Sequence, residues 1–173
     1  MKSCLVAAIA FLCSSAFVEA AKEFDAESYY YLSTEFQGSG KVLDVVNDGI
    51  NNQVTLAKKG SFSGQLWKLT PVGEGYYRLT TQWRGDDWSL DVVNDGKLNN
   101  RLHLAKSGDF SGQKWMITEE KKGFFRLTTL WRGTAFSLDI PNEGKNSKSL
   151  ILAPSGNYSG QMWKFEKSAI RTK

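Results

Sequence analysis

The feature that most constrains this chain is that it repeats itself three times. Leu43-Asp44-Val45-Val46-Asn47-Asp48-Gly49 returns as Leu90-Asp91-Val92-Val93-Asn94-Asp95-Gly96, and more loosely as Leu138-Asp139-Ile140-Pro141-Asn142-Glu143-Gly144. Ser63-Gly64-Gln65-Leu66-Trp67 returns as Ser111-Gly112-Gln113-Lys114-Trp115 and Ser159-Gly160-Gln161-Met162-Trp163, with the tryptophans evenly spaced. Tyr31-Leu32-Ser33-Thr34, Arg78-Leu79-Thr80-Thr81 and Arg126-Leu127-Thr128-Thr129 mark the start of each copy. One single-residue gap near Ile50 interrupts an alignment that covers nearly all of residues 29–167. Such units fold alike, and each buries its apolar face against its neighbours.

Within a copy the pattern is β throughout. In the second, Tyr77–Thr81, Trp88–Val92, Arg101–Leu104 and Lys114–Ile117 are short runs of alternating, β-branched or aromatic residues. Arg84-Gly85-Asp86, Asn94-Asp95-Gly96, Ser107-Gly108 and Lys122-Gly123 separate them with turn chemistry. No helical apolar stripe interrupts this, so four strands per copy predict an all-β chain of twelve strands. Three units are too few to close a propeller, and neither end copy is atypical enough to cap a solenoid. A closed threefold barrel buries all copies equivalently. It predicts a core of Leu43, Leu90 and Leu138, a second layer of Leu56, Leu104 and Leu152, and the three tryptophans alongside.

Three units of this size, each with a Leu-Asp-Val or Leu-Asp-Ile element followed by Gln-x-Trp, resemble the ricin-type β-trefoil lectins. The resemblance spans residues 29–167, with repeats at about 29–75, 76–123 and 124–167. It implies a β-trefoil of three four-stranded repeats with pseudo-threefold symmetry and up to three shallow sugar sites. It also implies no catalysis by the domain and no cofactor. The position that accepts hydrogen bonds from sugar hydroxyls in galactose-binding members matches Asp44, Asp91 and Asp139. Two other family features are replaced in every copy. Ala57, Ala105 and Ala153 stand where a stacking aromatic is usual, and Gly64, Gly112 and Gly160 stand where an Asn precedes the Gln.

Substitutes lie close by in sequence. Phe62, Phe110 and Tyr158 occupy the loop before Ser-Gly-Gln, where an aromatic face can cover the same hollow. Asn47 and Asp48, Asn94 and Asp95, and Asn142 bring acceptors near the repeated Asp. Carboxylates and amides for hydroxyls, with an aromatic for the ring face, suit carbohydrate recognition. Each residue also has a plainer role. The Asp can bond the backbone of the following turn, the aromatics can anchor their loops, and the three Gln can satisfy buried backbone groups. Trp83-Arg84 and Trp131-Arg132, matched by Phe36-Gln37, read as structural Arg–aromatic pairs. His103, replaced by Thr55 and Ile151 in the other copies, points outward beside the sugar position, so the three sites are expected to differ.

The remaining features bound the setting. Lys2, the apolar run from Leu5 to Leu12, and Val18-Glu19-Ala20 have the layout of a secretory signal peptide covering residues 1–20. Residues 21–28 follow as a short N-terminal segment, and 168–173 form a C-terminal tail. Both cysteines, Cys4 and Cys13, fall in the signal, so the mature chain relies on packing rather than disulfides. Its net charge of +4 is spread among acids, which argues against a nucleic-acid face. No later segment is long and apolar enough for membrane insertion. Asp44–Gly49 lacks the acidic positions of a calcium loop, and His103 has no metal-ligand companions, so no metal is expected. One repeated Asp does not supply a glycosidase's two carboxylates in different roles. The expected function is a secreted, non-catalytic glycan-binding protein, with two working sites and extracellular glycoconjugates as partners. The alternative is an extracellular matrix protein that uses the fold without a sugar pocket. Asn157-Tyr158-Ser159 is a glycosylation sequon beside the third site.

Overall fold

The computed structural model describes residues 23–141 and 150–172. The signal peptide expected over residues 1–20 and the candidate Asn142 lie outside the described residues. The described residues hold twelve strands, four per copy. They are β1 (Ser28–Thr34), β2 (Lys41–Val45), β3 (Val54–Lys58), β4 (Trp67–Pro71), β5 (Tyr76–Thr81) and β6 (Gly85–Val92). The rest are β7 (Leu102–Lys106), β8 (Trp115–Lys121), β9 (Phe124–Thr129), β10 (Phe136–Asp139), β11 (Ile151–Pro154) and β12 (Trp163–Arg171). The expected strands are all present, but β8 runs four residues beyond the expected Ile117, to Lys121. β6 starts earlier than expected because Gly85, at φ 65°, pairs with Thr81 and draws the turn into the strand. β12 runs on through four residues of the expected tail and pairs Arg171 with Ser28.

The first and last strands of the three copies form a closed antiparallel ring. β1 pairs with β4, β4 with β5, β5 with β8, β8 with β9, β9 with β12, and β12 with β1. Closure leaves the barrel no open edge. The middle strands form three hairpins, β2–β3, β6–β7 and β10–β11, which cover one end of the barrel. Neighbouring hairpins are stitched together where Leu104 N–H donates to Asn52 O and Leu152 N–H to Asn100 O, both at 2.7 Å.

The repeated apolar residues make the core. Leu43 faces Leu56, Leu90 faces Leu104 and Leu138 faces Leu152 across their hairpins, all buried. Trp67, Trp115 and Trp163 are fully buried, and each indole N–H donates to the carbonyl of the matching leucine at 2.9–3.0 Å. Each Trp thus ties barrel to hairpin by packing and by a satisfied polar handle. Phe24, in the segment expected merely to precede the fold, is buried in the aromatic cluster. It packs against Tyr30, Tyr77, Phe125 and Phe165 with ring centroids 4.7–5.7 Å apart.

Candidate functional site

Each copy builds its outer hollow around the buried Gln of Ser-Gly-Gln. In the second copy the Gln113 amide donates to Asp91 Oδ2 at 3.0 Å and to Lys106 O at 2.9 Å. Its carbonyl accepts from Gly108 N–H at 2.9 Å and from the Ser89 hydroxyl at 2.8 Å. Gln65 and Gln161 repeat the bonds to the Asp, to a strand carbonyl and to a loop glycine. The Gln is therefore a structural hub, which is why it is buried in all three copies.

The repeated Asp is held by the hub and by its own backbone. Asp91 Oδ1 accepts from Val92 N–H at 2.7 Å, and Asp44 Oδ1 from Val45 N–H at 2.8 Å. The plainer reading holds in kind, but the partner is the next residue rather than the Asn-Asp-Gly turn. The second Asp organises that turn. Asp95 Oδ1 accepts from Lys97 and Leu98 N–H at 2.8 and 2.7 Å, and Asp48 Oδ1 from Ile50 and Asn51 N–H at 3.1 and 2.8 Å. These are Asx turns. The N–H groups of Leu98 and Lys97 hold the Asp95 carboxyl below the usual range, so it stays charged at neutral pH.

The glycines before the Gln have a steric reason. A Cβ on Gly112 would lie 2.5 Å from Asp91 Oδ1, and one on Gly64 would lie 2.7 Å from Asp44 Oδ1. Any side chain there would displace the carboxylate, so the glycine before the Gln and the placement of the Asp are one feature.

Phe62, Phe110 and Tyr158 are exposed, at 63%, 59% and 62%, which answers the loop-anchor reading for most of each ring. The covered part lies over a glycine two residues earlier, so close that a Cβ on Gly60, Gly108 or Gly156 would meet the ring. That glycine's carbonyl is itself held from the start of the copy, by Tyr31 Oη at 3.3 Å, Arg78 Nη2 at 2.7 Å or Arg126 Nη1 at 3.0 Å. The rings are thus exposed yet supported from beneath.

In the second copy these parts converge on a cleft of about 560 Å³ that Asp91, Asn94, Asp95, His103, Phe110 and Trp131 line. All five candidates taken from the second copy are on its wall. His103 stands directly opposite Asp91 across the hairpin, so the two share a face. Trp131 belongs to the third copy, and its pairing with Arg132 in sequence points to a structural role rather than to this cleft. The Trp131 backbone N–H donates to Ser111 O at 3.2 Å, which fixes it there. Trp83 makes the same bond to Ser63 O, and Phe36 to Ser159 O. Each hollow therefore borrows an aromatic from the next copy around the barrel. The signal was present as the Trp-Arg-Gly repeat, but only threefold closure shows which site it serves. The arginines do stack on aromatic rings, but the partners differ from the expected pairs: Arg84 stacks on Trp88 at 4.3 Å, and Arg132 lies closer to Phe136, at 3.8 Å, than to Trp131, at 5.3 Å.

The copies are not equivalent. Thr55 faces Asp44 and Ile151 faces Asp139 where His103 faces Asp91. Asp139 is buried, and burial pushes its carboxyl above the usual value, partly offset by the Gln161 hydrogen bond. Among the described residues, no group of three or more His, Cys, Asp or Glu is placed to hold a metal ion.

No family model and no curated protein matches the chain. Solved structures do. A designed threefold-symmetric protein, ThreeFoil, matches 79% of this chain and 96% of its own at TM-score 0.65 and 24% identity. The chain is a β-trefoil. A ricin B-like lectin from Macrolepiota procera, solved in complex with lactose, matches 85% of this trefoil and 100% of its own chain at TM-score 0.67 and 17% identity. An exo-β-1,3-galactanase from Clostridium thermocellum matches 82% of this chain at TM-score 0.69 and 23% identity, but the trefoil spans only 30% of that enzyme.

Proposed function

We propose that this trefoil is a secreted, non-catalytic carbohydrate-binding protein whose principal site is the second-copy cleft. The observation that carries the reading is the convergence there of Asp91, Asn94, Asp95 and His103 with the exposed face of Phe110 and the borrowed Trp131. Charged and amide acceptors orient sugar hydroxyls, while an aromatic covers the apolar face of the ring. The Asn94 amide makes no hydrogen bond to other described residues, so it is available to a ligand. The lactose complex of the Macrolepiota procera lectin, on the same fold, supports the ligand class. The first copy repeats Asp44, Asn47, Asp48 and Phe62, and Trp83 stands beside it. Two working sites on one rigid scaffold gain avidity on a multivalent glycan surface.

A broad glycan array tests this. The mature chain is expected to give signal on a defined glycan class. A folded protein with no signal on any glycan would move the matrix-protein reading, favoured by Ala57, Ala105 and Ala153, to first place. The control variant is Phe110→Ala rather than Asp91→Ala, because Asp91 also supports the buried Gln113 and its loss would weaken the fold.

A further inference from the structure

The second-copy cleft is acidic in a basic protein. Asp91 and Asp95 line it, and no Lys or Arg does. Neither carboxylate belongs to any ion pair among the described residues; their hydrogen-bond donors are backbone N–H groups and the neutral Gln113 amide. Other acids are neutralised, Asp86 by Lys68 and Asp109 by Lys114, the latter one residue from Phe110. Lys97, in the Asp95 turn, does not line the cleft, and Arg132 is engaged by Phe136. His103 is the one basic side chain on the wall. Two carboxylates outside any salt bridge, with His103 acting on Asp95 only through space, stand beside an exposed aromatic face and form a surface that attracts a cation and repels an anion.

Resting on the carbohydrate reading, we propose that this cleft selects glycans bearing a free, positively charged amine over their N-acetylated counterparts and rejects N-sulfated ones. A neutral hydroxyl uses the carboxylates only as hydrogen-bond acceptors. An ammonium group also gains the Coulomb attraction and the contact with the aromatic face, whereas a sulfate meets two like charges within one cavity.

The test is an NMR titration of the mature protein, read at the Trp131 indole N–H so that only this cleft reports. The ligands are gluco- and galacto-hexosamine oligosaccharides, each prepared as free amine, N-acetyl and N-sulfate. The free amine is expected to bind about tenfold more tightly than the N-acetyl form at low salt. The gap should narrow as salt rises, and the N-sulfate should give no shift. Asp95→Asn, which keeps the turn's acceptor oxygen at an exposed position, should reduce the amine preference. N-acetyl binding as tight as the amine, binding of the N-sulfate, or an amine preference unchanged in Asp95→Asn overturns the inference. Glycan-array signal from neutral sugars alone would leave the carbohydrate reading standing while this selectivity fails; silence in both experiments sinks both.

Discussion

At the scale of single residues, the outer hollow depends on two glycines with opposite consequences. The space beside Gly112 is taken by Asp91 Oδ1 at 2.5 Å and by the Val92 carbonyl at 3.4 Å. The carboxylate cannot retreat without losing its bonds to Val92 N–H and the Gln113 amide, so Gly112→Ala should destabilise the fold by about 1–3 kcal/mol in urea unfolding, the usual cost of overpacking. The space beside Gly108 is taken by the Phe110 ring at 2.4 Å, which is exposed and free to swing. Gly108→Ala should therefore leave unfolding nearly unchanged while displacing the aromatic wall and weakening ligand binding. Equal stability losses in the two variants would contradict this division. The role of Gly112 is not legible from the repeat, because the pattern records that the position is Gly without recording the carboxylate that requires it.

At the scale of elements, the three hairpins share one plan and differ in electrostatics. Asp139 on β10 faces Ile151 and is buried, whereas Asp91 on β6 faces His103 at the cleft wall. Burial raises the Asp139 pKa, so the folded chain holds its proton to higher pH than the unfolded chain does. That contribution to stability is fully present in acid and is lost as pH rises from the ordinary carboxylate value through the folded one. Asp139→Asn has no such slope. Its stability cost relative to the native chain should be largest near pH 3 and shrink toward neutral pH, as measured by urea unfolding across that range. A cost that grows with pH would show Asp139 to be stabilised in its charged form. The strands themselves were legible because alternation and turn chemistry are local. Asp48 and Asp95 were legible as turn formers for the same reason. The borrowed Trp131 was not, since its site lies on the previous copy and becomes a neighbour only when the barrel closes.

At the scale of the molecule, repetition made the architecture readable, and the part that breaks the repetition escaped it. Phe24 has no counterpart in the other copies, yet it contacts the threefold-related Tyr30, Tyr77 and Phe125 together with Phe165. One residue filling a gap left by three copies leaves no periodic trace in sequence. Phe24→Ala should cost about 3–5 kcal/mol, as for a buried Phe replaced by Ala, with glycan affinity unchanged in the fraction that stays folded. A loss below about 1 kcal/mol would mean that the barrel is closed without it. The plug and the tryptophan ties keep stability in the interior and leave the outer hollows to vary from copy to copy.

If the proposed site holds carbohydrate against the face of Phe110, calorimetric titration of the strongest glycan-array ligand into wild type and Phe110→Ala reads the contact. The variant, equally stable, is expected to lose about tenfold in affinity, the scale of one aromatic stacking contact. Affinity unchanged in Phe110→Ala would place the sugar elsewhere and rule out the second-copy cleft as proposed.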